Sequence, residues 1–248
     1  MRALGRLAPL AVLLGISRAV WAGPPFVTDD PEPVDLGHWE INDALTATWR
    51  RGETSAGLPI DVNYGAAPNL QLHVQPRFSY ESSAPGGRLG IDDTEIGAKY
   101  RFLDMGDEDS SFMLAFYPIY LAATGKRSLG PDRGAKALFL PAWAEHGSGP
   151  WTLYGGWGYR INPGAGNRNS RFSGATALYK ISSSLQIGGE AFHETATSMG
   201  GEGTTGFNVG GIQRLGEHSS LLFSAGRGLR NPAATNELSI YLALQLAY

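Results

Sequence analysis

The last stretch of the chain, 236–248, alternates apolar and polar positions without a break. Leu238 and every second residue up to Tyr248 are apolar, whereas Ser239 and Gln245 fall on the opposite face. A period of two predicts a β-strand, because successive side chains of a strand point to opposite faces. The stretch matches the about 9–11 residues of a tilted strand that crosses a bilayer better than the roughly 5–6 residues of an average strand. We therefore interpret it as the closing strand of a membrane β-barrel.

Eleven further strand-like runs precede this stretch. They lie near 38–50, 57–65, 70–80, 92–102, 111–122, 135–145, 151–162, 171–181, 184–194, 206–215 and 219–229. The connections alternate between short ones and longer ones rich in Gly, Ser and Asn, with 51–56 and 81–91 among the longer group. Short periplasmic turns and long extracellular loops alternate in this way in outer-membrane barrels. The pattern predicts an all-β fold: a closed antiparallel transmembrane β-barrel of about twelve strands over 38–248, with both termini in the periplasm.

Two positions interrupt the pattern. Asp43 breaks the apolar face of the first run. The run 111–122 is apolar on both faces, so its register is undecided, and Pro118 predicts a bulge or a broken ladder position there.

The polar faces of these strands are expected to line the lumen. The lumen-lining candidates are Glu40, Asp61, His73, Gln75, Arg77, Glu95, Lys99, Arg101, Tyr154, Arg160 and Glu190. A short turn at 66–69 predicts that Asp61 lies opposite His73 and Asn63 opposite Gln71. The next strand pair should then place Arg77 opposite Glu95, His73 opposite Lys99 and Gln71 opposite Arg101. These pairings would form a wall of charges with both signs.

The N-terminus reads as an export signal. Arg2 and Arg6 precede an apolar run, and the small residues before Gly23 suit signal cleavage, so 1–22 is predicted to be removed. The run is too short for a membrane anchor. The mature chain then has 17 basic and 23 acidic residues, which argues against a nucleic-acid partner.

The segment 23–37 is rich in proline and acid, which excludes a regular strand. It is either a passive lead-in or a plug at the periplasmic mouth of the barrel. Its acids are Asp29, Asp30, Glu32 and Asp35. They could offer oxygens to a divalent cation, but solvated acids are commoner, and we predict no metal and no cofactor.

Several segments resemble a family of bacterial outer-membrane transport proteins that is labelled with the MetA pathway of phenol degradation. The resembling segments are 24–40, 117–125, 151–169, 185–195, 207–215 and 221–229. Where relatives carry Leu-Pro-Thr-Gly, this chain has Ala122-Ala123-Thr124-Gly125, so no role of that proline is carried over. The resemblance implies a barrel in the Gram-negative outer membrane. The terminal Tyr248 resembles the signal read by the barrel assembly machinery, which together with outer-membrane lipid is an expected partner.

No nucleophile elbow, phosphate-binding loop, zinc-ligand spacing or dinucleotide fingerprint is present, so we predict that the chain is not an enzyme. An enzyme hypothesis could use only His193 with Glu194 and Ser198. Twelve strands lie between small filled barrels and wide porins, which favours a narrow channel for small polar or aromatic solutes. The alternatives are a structural or adhesive barrel with a sealed lumen and, more remotely, a lipid-modifying enzyme.

Overall fold

The structure is a computed structural model that describes residues 25–83, 86–107, 110–129 and 134–248. These residues form one closed antiparallel β-barrel, as the alternation predicts. The predicted signal peptide, 1–22, and its cleavage position lie outside the described residues.

Fifteen strands build the wall in the described part of the chain. They are β1 (Trp39–Arg50), β2 (Glu53–Ala67), β3 (Leu70–Gln75), β4 (Arg77–Ser83), β5 (Gly87–Ile91), β6 (Thr94–Gly106), β7 (Ser110–Phe116), β8 (Ile119–Ala122), β9 (Ala137–Ser148), β10 (Trp151–Ile161), β11 (Ser170–Lys180), β12 (Leu185–Glu194), β13 (Thr204–Arg214), β14 (Ser219–Arg230) and β15 (Leu238–Ala247).

Three pairs of these strands are the halves of single barrel strands, so the wall has the twelve strands that the sequence predicts. β3 and β4 are separated by Pro76, β5 and β6 by Asp92 and Asp93, and β7 and β8 by Tyr117 and Pro118. Both prolines lack the N–H that a ladder position needs, which is a physical reason for two of the three breaks. The break predicted at Pro118 is confirmed.

The first and last strands close the barrel. β1 pairs with β15 from Glu40 opposite Ala247 to Trp49 opposite Leu238. Beyond this ladder the Trp39 amide donates to the Tyr248 carbonyl at 2.9 Å. Closure leaves the sheet without a free edge at this seam, and it places the start of β1 and the end of β15 at the same end of the barrel. We call this the terminal end.

The two faces of the wall differ as the alternation predicts. Large apolar side chains are exposed on the outer face; they include Trp39, Leu58, Ile60, Leu72, Val74, Ile96, Tyr100, Trp151, Trp157, Leu242 and Leu244. Polar side chains such as Asn42, Lys99 and Gln245 are almost fully buried on the inner face. Asp43 is an exception, because it lies on the exposed outer face between Ile60 and Leu244.

The strand that the sequence leaves undecided, β7, also has a defined face. Met113 and Ala115 are buried and point inward, whereas Phe112 and Phe116 are exposed on the outer face. When both faces of a strand are apolar, a period of two does not show which face points inward. In β7 the packing of Met113 and Ala115 in the lumen decides it.

The predicted register between the second, third and fourth barrel strands is wrong by two residues. Asn63, and not Asp61, lies opposite His73, and Gln71 lies opposite Gly65. The cause is the turn: β2 continues to Ala67, the loop contains only Pro68 and Asn69, and an irregularity follows between Gly65 and Ala67. A shift of two keeps every side chain on its predicted face.

The pairing of the third and fourth barrel strands shifts in the same way. Glu95 lies opposite Gln75 and not Arg77, and Lys99 lies opposite Gln71 and not His73. The hairpin between β4 and β5 and the interruption at Asp92 and Asp93 together set this offset.

The connections at the terminal end are all short, and those at the other end include the long ones. The prediction of longer loops at 51–56 and 81–91 is wrong, because β2 already begins at Glu53 and because β4 and β5 form a long hairpin. Helical structure among the described residues is confined to a 3-10 turn at Arg127–Leu129 and a helix α1 at Pro232–Thr235. In this part of the chain no helix is long and apolar enough to cross a membrane.

Cysteine pairs test the register, because the chain has no cysteine of its own. Asn63→Cys with His73→Cys joins two directly opposite inward positions and should form a disulfide readily on mild oxidation. Asn63→Cys with Val74→Cys is the matched control, since Val74 points outward. Gel mobility with and without reductant measures the yield. Faster linkage of Asp61→Cys with His73→Cys than of the directly opposite pair would contradict this register.

Candidate functional site

The segment that precedes β1 lies inside the barrel, and we call residues 25–37 the N-terminal segment. Pro25, Phe26, Thr28 and Pro31 in this segment are buried against the inner wall. Val27 is different, because its side chain is 56% exposed. The segment therefore fills part of the lumen without sealing every surface around it.

The first turn of the N-terminal segment is held by the β12–β14 wall. The Glu190 carboxylate accepts hydrogen bonds from the Val27 amide at 2.8 Å and the Thr28 amide at 2.9 Å. Asn208 donates to the same carboxylate at 2.5 Å, and Ser224 donates to the Pro25 carbonyl. Glu190 thus acts as the acceptor that the otherwise unpaired backbone amides of a non-regular segment require.

Apolar packing and close backbone approach support these hydrogen bonds. Phe26 packs with Tyr154 and Leu178 in a buried cluster that Ile212 also contacts. Thr28 lies so close to Gly174 that a Cβ at the glycine would collide with the threonine hydroxyl. Glycine in β11 therefore makes room for the segment.

The middle of the N-terminal segment surrounds one buried cation. The Lys99 side chain is 2% exposed, and its Nζ lies 3.1 Å from Asp29 Oδ1 and 3.5 Å from Asp30 Oδ1. It also donates to the Glu32 carbonyl at 3.3 Å and lies over the Tyr117 ring, 5.1 Å from its centroid. A buried ammonium is stable only when charges and hydrogen bonds surround it in this way.

Arg101 extends this contact toward the terminal end. Its Nη1 lies 4.0 Å from Glu32 Oε1, and its Nη2 lies 3.1 Å from Asp104 Oδ2 and donates to Asn69 Oδ1 at 2.9 Å. Two wall cations thus face the acids of the N-terminal segment. Burial raises the pKa of Glu32 to about 8, and the nearby Asp30 adds to the rise while Arg101 opposes it. The pKa of Asp29 is also raised by burial, although Lys99 opposes that change.

A polar network covers the wall beside this contact, on β1, β2 and β3. His73 Nδ1 lies 2.8 Å from Asp61 Oδ1 and 3.2 Å from Asn63 Oδ1. Gln71 donates to Asn63 at 2.6 Å and accepts from the Val34 amide at 2.9 Å. The predicted neighbours Asp61 and His73 are therefore in contact, diagonally and not directly opposite.

The same wall contains one further acid of the candidate set, Glu40, and an amide lies between it and Asp61. Asn42 Nδ2 lies 3.2 Å from Glu40 Oε1 and 3.3 Å from Asp61 Oδ2, and it donates to both. Glu40 and Asn42 are 4% and 1% exposed. Asn42 is thus a neutral donor between two carboxyl groups.

An aromatic cluster occupies the inner face of β9, β11 and β12, beside the break between β7 and β8. Its members are Tyr117, Phe139, Trp143, Phe172 and Phe192. Phe172 stacks on Phe192 with 6.4 Å between centroids, and Trp143 meets it edge-on at 6.1 Å. Arg160 lies over Phe139, 4.9 Å from its centroid, and 3.7 Å from Glu194. Sequence reasoning selected Arg160 but missed this cluster.

The remaining candidates also lie on the inner face but not in the predicted pairs. Gln75 lies opposite Glu95 in the ladder. Arg77 of β4 donates to the Thr46 hydroxyl of β1 at 3.1 Å. Its predicted partner, Glu95 of β6, lies on the other side of β4. The structure thus brings Glu40, Asp61, His73, Lys99, Arg101, Tyr154 and Glu190 around the N-terminal segment and leaves Gln75, Arg77, Glu95 and Arg160 apart from it.

Neither a metal site nor the histidine arrangement of the enzyme hypothesis is assembled. Among the described residues no group of three or more His, Asp or Glu side chains could hold a metal ion. His193 contacts Thr205 at 2.8 Å, whereas the neighbouring Glu194 points to the lumen and accepts from Ser170 at 3.0 Å. The two side chains lie on opposite faces of β12, so they do not form a catalytic pair.

Comparisons with known proteins agree on the fold. An outer membrane channel from Pseudomonas putida F1 is similar with a TM-score of 0.71 and 15% identity, over 88% of this chain and 98% of that chain. The KdgM porin in complex with disordered oligogalacturonate is similar with a TM-score of 0.54 and 10% identity, over 85% and 98%. No family model and no curated protein matches the chain. The chain therefore has the fold of outer-membrane channels and porins.

Removal of the Lys99 charge should release the N-terminal segment. In Lys99→Met the acids of the segment lose their buried partner, and loss of one partner of a buried pair costs about 3–5 kcal/mol. A protease that cleaves on the amino side of aspartate should then cut the Val34–Asp35 bond much faster than in the unchanged protein. Lys180→Met is the matched control, because Lys180 is exposed. Equal cleavage rates in the two variants would show that Lys99 does not hold the segment.

Alkaline pH should weaken the docking of the N-terminal segment. The pKa of Glu32 is about 8 when the segment is docked and near 4.5 in an exposed chain, so docking is fully favourable below the lower value and is lost as the pH rises through the higher one. A nitroxide on Val27→Cys should become more mobile as the pH rises from about 5 to about 9. Glu32→Gln should remove this dependence. A mobility increase at acidic pH instead would contradict the assigned sign.

Proposed function

We propose that the chain is a narrow channel of the Gram-negative outer membrane for small polar or aromatic solutes. The observation that carries the proposal is a polar lumen that the N-terminal segment only partly fills. The wall of the described chain buries amides, carboxyls and bases, yet Val27 inside the lumen is 56% exposed. Space for water therefore remains inside the barrel beside the segment. The similar fold of an outer membrane channel and of the KdgM porin supports this proposal.

The outer surface supports the proposed location. A band of exposed apolar and aromatic side chains would face lipid, where such residues are favoured. The short connections and both ends of the wall share one end of the barrel, which we assign to the periplasm. On this assignment 1–22 is the cleaved export signal, and Tyr248 is presented to the barrel assembly machinery. Outer-membrane lipid is then the surrounding partner.

Two inner surfaces support the two proposed classes of solute. The Glu40–Asn42–Asp61 wall offers carboxyl and amide groups that match polar solutes. In the largely buried cluster around Phe172 the ring of Phe139 is only partly buried, and Arg160 lies over it and adds a cation. Ring faces and a nearby guanidinium suit an aromatic solute, since aromatic pairs add about 0.5–1.5 kcal/mol beyond their buried area.

A barrel with a sealed lumen is the second candidate. The anchoring of the N-terminal segment by Glu190, Lys99 and Gln71 favours it, because these contacts span the lumen from β12 to β3. A lipid-modifying enzyme has no comparable support, since His193 and Glu194 point to opposite faces. We therefore also propose that the chain is not an enzyme.

Deletion of 25–36 should separate the two candidates. The purified full chain should form small, discrete conductance steps in a planar lipid bilayer, and the deletion variant should form larger ones, because it lacks the segment that narrows the lumen. Heat-modifiable gel migration provides the control that both proteins are folded. The channel proposal would be overturned if neither protein conducts ions. A silent full chain with a conducting deletion variant would favour the sealed barrel.

A further inference from the structure

The outer face of the wall carries few charged side chains, and their positions differ by sign. Alternation leaves three Asp, Glu, Lys or Arg side chains on the outer face of the described strands: Asp43, Arg171 and Arg227. Asp43 lies near the start of β1 at the terminal end, whereas Arg171 is the second residue of β11 and Arg227 lies three residues before the end of β14. Both cations are therefore near the opposite end of the barrel, which we call the far end.

The two arginines belong to a continuous outward belt of polar side chains on β11 to β14. Ser173, His193 and Thr205 are consecutive ladder partners on β11, β12 and β13. Arg171 lies two residues from Ser173, and Arg227 is opposite the residue two positions after Thr205. His193 Nδ1 lies 2.8 Å from the Thr205 hydroxyl. We call Arg171, Ser173, His193, Thr205 and Arg227 the polar belt.

The tilt of the strands brings both arginines to about the same level. The ladder row of Arg227 runs through Phe207 and Ala191 to Ala175, four residues from Arg171. Rows that leave the terminal end in β1 arrive at the far end in β11, so this row descends from β14 back to β11. With a strand spacing of about 4.8 Å and a tilt of about 40°, the descent is roughly 9 Å, and four residues along β11 recover roughly 10 Å. The arginines are therefore at about one height and roughly 20 Å apart.

Aromatic side chains on the neighbouring strand indicate that the polar belt lies at the membrane boundary. Trp157 lies opposite Ser173, and Tyr159 lies opposite Arg171. Their rings stack with 6.5 Å between centroids, and Trp157 is 50% exposed on the outer face. Trp and Tyr rings are favoured at the level of lipid headgroups. We therefore expect the belt at headgroup level, where a long arginine side chain can reach out of the apolar layer.

The arginines of the belt have no acidic partner within the described wall. In the part of the chain that the structure describes, no Asp or Glu lies within ion-pair distance of Arg171 or Arg227. A negatively charged group outside the wall can therefore balance them. A guanidinium group donates in a planar fork that matches the oxygens of a phosphate, and the hydroxyl and imidazole groups between the two arginines can also donate to such oxygens.

We propose that the polar belt binds the phosphate groups of a lipid in the leaflet at the far end of the barrel. Arg171 and Arg227 each contact phosphate oxygens, and Ser173, His193 and Thr205 line the surface between them. The inference rests on the proposed outer-membrane location and orientation, but not on conduction. In that location the lipid is lipopolysaccharide, and its phosphate-bearing anchor, diphosphoryl lipid A, is the probe.

Native mass spectrometry of the detergent-solubilised full chain, titrated with diphosphoryl lipid A, tests the proposal. Arg171→Gln and Arg227→Gln should each weaken binding about fivefold, the factor that one basic residue contributes at an anionic lipid surface, and the double variant about twenty-five-fold. Lys180→Gln is the matched control and should bind as the unchanged protein does, because Lys180 is an exposed cation at the other end of β11. Heat-modifiable gel migration shows that each variant is folded. An equal loss of binding in Lys180→Gln, or no loss in the double variant, would overturn the proposal.

Inorganic phosphate separates a lipid site from a site for the free anion. An excess of inorganic phosphate should not displace lipid A, because it lacks the acyl chains that lie against the apolar outer face beside the belt. Displacement at equal concentration would overturn the lipid assignment.

A last arm tests the orientation independently of lipid binding. Met199→Cys is the site for the label, since Met199 is 71% exposed in the connection that follows β12 at the far end, and the chain has no cysteine of its own. It should react with a membrane-impermeant maleimide on intact cells. Absence of labelling would overturn the proposed orientation and this inference together. Labelling combined with unchanged lipid A binding in the double variant would overturn the belt alone and leave the channel proposal intact.

Discussion

The buried ammonium group of Lys99 is the contact on which the interior of the barrel depends. Transfer of a cation from water into the protein costs several kcal/mol unless charges and hydrogen bonds replace its hydration. In this barrel the replacement comes from Asp29, Asp30 and the carbonyl of Glu32, none of which belongs to the wall. The charge of one wall residue therefore holds the middle of the N-terminal segment, while Glu190 and Gln71 hold its other parts.

The wall and the segment satisfy each other's polar groups. A segment without secondary structure exposes backbone amides, and the wall supplies the Glu190 carboxylate and the Gln71 amide oxygen as acceptors. The wall, in turn, carries inward polar side chains, such as Lys99 and Glu190, that find their partners in the segment. The cavity of a twelve-stranded barrel is wide enough for this exchange, whereas smaller barrels are filled by their own side chains.

Much of the fold could be predicted from alternation alone, because a period of two determines which face each side chain occupies. The register could not be predicted, because the turn contains only Pro68 and Asn69. The pairing is therefore shifted by two residues, and Asn63, not Asp61, lies opposite His73. The sequence left open whether 23–37 plugs the barrel, and it did not indicate that Lys99 would lie at the centre of the contact. The cluster around Phe172 was missed because its members come from distant strands, and Asn42 because a neutral amide carries no charge signal.

The path of the N-terminal segment has a consequence for the order of assembly. The segment precedes β1 in the chain, yet it contacts Lys99 in β6 and Ser224 in β14. A closed wall offers no side entrance, so a segment that enters after β1 and β15 have joined has to pass through an open end of the barrel. The contacts with β6 can form when less than half of the chain has folded, while those with β14 wait for one of the last strands. The segment thus links a strand from the first half of the chain with one of the last strands, and its full set of contacts exists only once both are in place.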